Sequence, residues 1–228
     1  MFVSGFPAGP WGTNCFVVAE APGSECLIID PGMDAMARVD EIVADNRLKV
    51  AAVVLTHGHL DHTWSVFGVC ESAQVPAYIH SDDRVMLADP AVGFLPEMVA
   101  AVRSMTGGRF EFAEPDDVEE LTDGGRIDIL GVSLGVRHTP GHTPGSAVFT
   151  HPGGDGMPPL LFSGDLLFAG SIGRTDLPGG DSIAMMRSLS TALTSLTDDT
   201  VVLPGHGPQT TMAQERATNP FLTGQASL

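Results

Sequence analysis

Basic side chains are scarce in this 228-residue sequence: eleven lysines and arginines stand against 28 aspartates and glutamates, a formal net charge of −17. A surface so acidic repels phosphate backbones, and no basic stripe offsets it, so partnership with nucleic acid or an anionic membrane surface is disfavoured. Cysteine is scarce too. Cys15, Cys26 and Cys70 are odd in number and lack CxxC spacing, which argues against a disulfide framework or a cysteine zinc site and fits reduced thiols in the cytoplasm. No apolar run approaches the roughly 20 residues that span a bilayer. The N-terminal MFVSGFPAGP lacks the basic and apolar regions of a secretory signal. Internal repeats, low-complexity tracts and clear linkers are absent, so residues 1–228 are expected to form a single domain. With 43% hydrophobic and 17% charged residues, the chain reads as globular and well packed.

What is present is a series of short apolar runs, each closed by a polar cluster. Leu27–Ile29 leads into Asp30-Pro31-Gly32, and Val50–Leu55 into Thr56-His57. Val132–Val136 leads to His138 and His142, Leu160–Phe162 to Ser163-Gly164-Asp165, and Val201–Leu203 to Pro204-Gly205-His206. Such runs read as buried strands, with the polar residues just beyond their C-terminal ends. Helices are expected over 34–45, with an apolar face of Met36, Val39, Ile42 and Val43, and after Asp181, with Ile183, Met186, Leu189, Leu193 and Leu196. Leu121–Leu130 reads as a hairpin turning at Asp123-Gly124. The methionine-rich stretch from Asp82 to Gly108 is helical in tone, and core packing is favoured over a covering role. Strands mixed with helices, without strict βαβ alternation, predict packed sheets covered by helices.

The chemistry concentrates in His57-Gly58-His59-Leu60-Asp61-His62. Residues two apart do not share a helix face, so His57 and His59 converge on one ion only from an extended or tightly turning backbone. Gly58 between them would permit unusual backbone angles. Asp61 and His62 follow where a helix can begin, so one short stretch offers ligands to two ions. Imidazole and carboxylate donors suit zinc, iron or manganese. His142, Asp165 and His206 each lie on a strand-to-turn junction of their own. A chance cluster is disfavoured, because burying several titratable groups without a metal or charge partner is costly. His80 and His151 read as ordinary hydrogen-bonded histidines, and Trp64 either shapes the pocket or packs beneath it.

Together these motifs resemble the metallo-β-lactamase fold, in its glyoxalase II-like hydrolase branch. The resemblance rests on Asn14-Cys15-Phe16, Ile29-Asp30-Pro31-Gly32, THGHLDH, HTPGHTPGS from His138, SGD at Asp165, GSIGRTDLPGG from Gly170 and LPGHGP near the end. It implies an α/β fold, an αββα sandwich with two divalent metal ions, most simply zinc, at one edge of the paired sheets. By the resemblance His57, His59 and His142 hold the first ion, Asp61, His62 and His206 the second, and Asp165 bridges them. Asp61 and Asp165 are then also the catalytic carboxylates. Asp30 would orient ligands from behind or serve as a turn residue, and His138 would be structural. Arg174 would contact an anionic substrate group or pair with Asp176 or Asp181 to fix its loop.

The implied reaction is hydrolysis of a small thioester, S-lactoylglutathione being the family's model, by a metal-bridging hydroxide. Two divalent ions bring four positive charges, lowered to about one by Asp61, Asp165 and that hydroxide, so a positive field persists despite the acidic surface. A thiol with a pKa of roughly 8.5 departs without a strong general acid. The chain departs from full-length glyoxalase II beyond His206, where Arg216 is the only basic side chain and Pro208 replaces an expected tyrosine. A carrier other than glutathione is therefore in view. Mononuclear iron persulfide dioxygenases resemble the chain as well, but carry Cys and Ala at the positions of Gly58 and Leu60, and Asp at that of Pro144. A metal-binding module without turnover is the remaining alternative.

Overall fold

The computed structural model describes residues 1–108, 111–129, 131–154 and 156–227. Six strands form a first sheet in chain order: β1 (Phe2–Ala8), β2 (Thr13–Ala19), β3 (Glu25–Ile29), β4 (Lys49–Val54), β5 (Ala77–His80) and β6 (Val118–Leu121). Pairing is antiparallel from β1 to β3 and parallel from β3 to β6. The later strands are β7 (Arg126–Ile129), β8 (Val132–His138), β9 (Ala147–His151), β10 (Leu160–Gly164), β11 (Leu167–Phe168), β12 (Ser171–Ile172), β13 (Val201–Pro204) and β14 (Thr210–Thr211). The second sheet runs β14-β13-β10-β9-β8-β7, while β11 and β12 pair separately. The helices are α1 (Ala35–Asp45), α2 (Leu60–Thr63), α3 (Val66–Ala73), α4 (Val85–Ala88), α5 (Pro96–Met105), α6 (Ser182–Ala192) and α7 (Met212–Thr218).

Strand alternation generates the layers. In β2 and β3, Phe16, Val18, Leu27 and Ile29 face the second sheet, while Cys15, Val17, Cys26 and Ile28 face the layer holding Val39 and Ile42 of α1 and Val66, Val69 and Cys70 of α3. Leu160 and Phe162 of β10, and Ala147 and Phe149 of β9, complete the central layer. Between them Val148 and Leu161 turn outward onto Met185, Leu189 and Ala192 of α6 and Met212 of α7. The result is the expected αββα sandwich. Runs that look uniformly apolar are uniform because both faces of each sheet are covered. Cys15, Cys26 and Cys70 are all buried free thiols, pushed up by burial: Cys26 and Cys70 to about 12.

Two expectations need correction. The segment after Leu121 is not a hairpin, because β6 belongs to the first sheet and β7 to the second. Asp123-Gly124 sits in the crossing between sheets, and its signal reflects a local turn: Gly125 N–H donates to the Thr122 carbonyl. The hairpin that forms joins β7 to β8; Leu130 lies outside the described residues. In α6 the buried stripe is Met185, Ser188, Leu189 and Ala192, whereas Ile183 is 75% exposed and Met186 is exposed. Asp181 caps this helix by accepting from Ile183 N and Ala184 N, and Met185 docks on Gly141, where a Cβ would lie 2.4 Å from its backbone. That docking fixes the helix's rotation.

Phe149 is fully buried between the sheets. Phe149→Ala should cost about 3–5 kcal/mol through lost burial and a cavity. Equilibrium denaturation checks this, and a loss under about 1 kcal/mol would contradict the assigned core.

Candidate metal centre

Five histidines and two aspartates meet where the strands end. His57 and His59 follow β4, His142 lies in the loop between β8 and β9, Asp165 follows β10, and His206 follows β13. His59 is the N-cap of α2, and that single turn directs Asp61 and His62 away from it. Donor atoms of His57, His59 and His142 lie within 4.8 Å of one another. The same holds for Asp61, His62 and His206, and for His57, His62 and Asp165. Thus every sequence-predicted ligand enters one centre, with Asp165 between the two groups. Its carboxylate is 3.4 Å from His142 Nε2 and 3.4 Å from His62 Nε2. His206 Nε2 lies 3.1 Å from Asp61 Oδ2, and His59 Nδ1 lies 2.9 Å from His142 Nε2.

Two buried carboxylates hold these loops. Asp30 accepts from Thr56 N (2.8 Å) and Thr56 Oγ1 (2.7 Å), and its Oδ2 lies 3.0 Å from His62 Nδ1. It therefore orients His62 from behind, and with φ +50° it also makes the turn after β3. Asp83 was not foreseen. It accepts from Gly58 N (2.8 Å), Gly145 N (2.7 Å) and Thr143 Oγ1 (2.6 Å), tying the His57–His59 loop to the His142 loop. In sequence it is one acid in Ser81-Asp82-Asp83 with nothing to mark it. Thr13 Oγ1 donates to Asp61 Oδ2 (3.0 Å), and the Arg174 carbonyl accepts from His142 Nδ1 (2.7 Å).

Glycines matter here through close approach. Gly58 does not adopt positive φ, contrary to its expected role; a Cβ there would lie 2.8 Å from the Asp83 carbonyl oxygen. At Gly205 a Cβ would lie 2.3 Å from Asp165 Oδ1.

Electrostatics divide the histidines. Burial and then the other imidazoles lower His57, and burial with the nearby His142 takes His59 to about 3, so both are neutral at pH 7, the form that binds metal. Burial opposes charge on His62 as well, yet Asp61, Asp165 and Asp30 outweigh it and lift His62 to about 10. His206 is raised by its bond to Asp61 and by Asp165, against burial, while Asp61 is held well below the usual carboxylate range by His62 and His206, also against burial. Among the described residues, the buried side-chain polar atoms without a hydrogen-bond partner are His57 Nε2, His59 Nε2 and Asp165 Oδ1. Orphaned donors gathered at one point, in nitrogen and oxygen groups of metal-ligating type, fit a dinuclear divalent centre.

A cavity of about 550 Å³ opens over the centre, walled by Trp11, Phe94, Phe168 and Leu177 and by Met98, Ala101, Val102 and Met105 of α5. The expectation of core packing for Asp82–Gly108 holds for Met86, Leu87 and Val102, whereas Met98, Ala101 and Met105 of α5 line the cavity without being buried. Trp64 packs on Trp11 and Phe112 and lines a neighbouring groove instead of this cavity. The Arg174 guanidinium lies at the cavity wall but is held by both oxygens of Asp176 (2.6 and 2.8 Å), while Asp181 caps α6. His138 bonds the Pro144 carbonyl (2.8 Å) and stacks on His80, and His151 accepts from Gly153 N; none enters the centre.

The chain belongs to the metallo-beta-lactamase superfamily, whose family model matches residues 8–206. It is 47% identical to an uncharacterized protein of Mycobacterium tuberculosis, over 98% of this chain and 99% of that one. It is 32% identical to the hydroxyacylglutathione hydrolase GloC of Haemophilus influenzae, over 96% and 97% of the two chains. Among solved structures it is similar to the BLEG-1 B3 metallo-beta-lactamase (TM-score 0.82, 37% identity, 98% of this chain and 100% of that one). It is likewise similar to TTHA1623 in a di-iron-bound form (TM-score 0.77, 35% identity, 97% and 100%).

Metal must displace the extra proton that His62 carries in the metal-free chain at pH 7. Apparent affinity should therefore climb as pH rises toward and through about 10, where His62 loses that proton. Titration calorimetry in buffers of different ionisation heat reads the released protons. A binding heat independent of buffer would contradict this charge state.

Proposed function

We propose that the chain is a metal-dependent hydrolase acting on thioesters. The reading is carried by the seven convergent donors and their orphaned atoms beneath an accessible cavity. The hydrolase names of relatives such as GloC support it. His57, His59 and His142 would hold one ion, and Asp61, His62 and His206 the other, with Asp165 shared. Zinc, iron and manganese all suit these donors, and the di-iron form of TTHA1623 makes iron a serious candidate. When bound, such ions supply Lewis acidity and lower the pKa of water to about 7.

The chain's own groups supply positioning. Asp30, Thr13 and the Arg174 carbonyl fix ligand orientations, as hydrogen-bond partners behind metal ligands do. The aromatic and methionine walls would give the reacting carbonyl a largely apolar surround. Beyond the candidate ligands, Arg174 is, among the described residues, the only ionisable side chain lining the cavity, and it remains protonated. With no dedicated general acid, a leaving group that departs as its anion is favoured, and a thiolate meets that need. Persulfide dioxygenation is less favoured: the cysteine of that pattern at position 58 would press its Cβ against the Asp83 carbonyl.

The test is release of free thiol from S-lactoylglutathione and simple acyl thioesters by metal-loaded protein, alongside oxygen uptake with glutathione persulfide. Thioesterase activity that a chelator abolishes is expected, with loss of activity and of at least one metal equivalent in Asp165→Ala. Oxygen consumption by iron-loaded protein without thioester cleavage would overturn the proposal.

A further inference from the structure

We propose that the cavity selects an apolar acyl chain, and that Met98, Ala101 and Met105 of α5 set that selectivity; the acyl assignment rests on the thioesterase reading above. Met98, Ala101, Val102 and Met105 are spaced as one face of a helix. An apolar helical stripe ordinarily faces a core, but of these four only Val102 is buried, and all four line the cavity. Phe94 precedes the helix and stacks on His59 (ring centroids 6.2 Å apart), so the apolar wall runs down to a candidate ligand.

Charge points the same way. An anionic carrier such as glutathione needs free cations, and among the described residues Arg174 is the only lysine or arginine lining the cavity. Asp176 binds its guanidinium through both oxygens, leaving a neutral pair. Arg216, the basic residue after His206, is held by Asp198 and the carbonyls of Leu193 and Leu196. Lys49, the single lysine, starts β4 and so sits at the opposite end of that strand from His57. The described lining is mainly apolar, and apolar contact is worth about 0.8 kcal/mol, or roughly fourfold, per buried methylene.

The metal-loaded full chain should be assayed on thioesters of N-acetylcysteamine, an uncharged carrier, from acetyl to octanoyl, and on S-lactoylglutathione. Expected is a kcat/KM that rises about fourfold per methylene over the first few carbons, exceeding that for S-lactoylglutathione. Met98→Asp should cut the octanoyl-to-acetyl ratio at least about tenfold. A second readout needs no turnover: Trp11 fluorescence in a Trp64→Phe chain should report octanoate binding at least about tenfold tighter than acetate. A flat acyl series with S-lactoylglutathione preferred would overturn this selectivity while leaving the thioesterase reading intact. Tighter octanoate binding without cleavage of any thioester would end the thioesterase reading and support the apolar chamber. Equal binding of octanoate and acetate would overturn the chamber whatever the activity.

Discussion

Asp30 and Asp83 are both buried, and the loops carrying the histidines lean on them. A buried carboxylate is tolerated only when its oxygens are met by donors, and each of these is met by three. Asp30 reaches across from the end of β3 to fix Thr56 and His62. Asp83 reaches from the segment after β5 to fix Gly58, Thr143 and Gly145. The charge that makes these residues costly to bury also makes them stiff anchors, because a charge-assisted hydrogen bond is shorter and stronger than a neutral one. The centre is thus braced from behind on two sides.

The sandwich supplies what those anchors need. Leu27, Ile29, Val54, Phe149 and Phe162 lock the two sheets face to face, so β3, β4, β10 and β13 end in a common rim. Gly205 N–H donates to the Gly164 carbonyl (2.8 Å), and Asn14 N–H to that of Gly205 (2.7 Å), so Asp165 and His206 are also tied through backbone. On this rim two histidine populations differ in charge. Burial, and then the neighbouring imidazoles, disfavour charge on His57 and His59, whereas the surrounding carboxylates favour it on His62. That division gives the metal-free centre a proton to exchange for a cation.

The strands, Asp30, His57, His142, Asp165 and His206 were legible in the sequence because each lies near a junction between an apolar run and a polar turn, and His59, Asp61 and His62 because they crowd into the same short motif. Periodicity failed where tertiary contact decided the outcome. Of the expected α6 stripe Leu189 and Leu193 are buried, but with Met185 docked on Gly141 it is Ile183 and Met186 that are left exposed. The turn at Asp123-Gly124 is real, yet local turn chemistry does not say whether the flanking strands share a sheet. Asp83 carries no local signature, since its donors lie 25 to 62 residues away. The α5 stripe was visible, but whether it faces core or cavity depends on the neighbours the fold brings to it.

If the centre is what its donors imply, each chain binds two divalent ions and Asp165 belongs to both. The most direct measurement is the metal content of purified protein after loading and exhaustive removal of free metal, by elemental analysis. Two equivalents per chain, falling to one or fewer in Asp165→Ala, is the result expected. One equivalent or none in the unaltered chain, or two equivalents retained by the variant, would contradict the shared dinuclear centre.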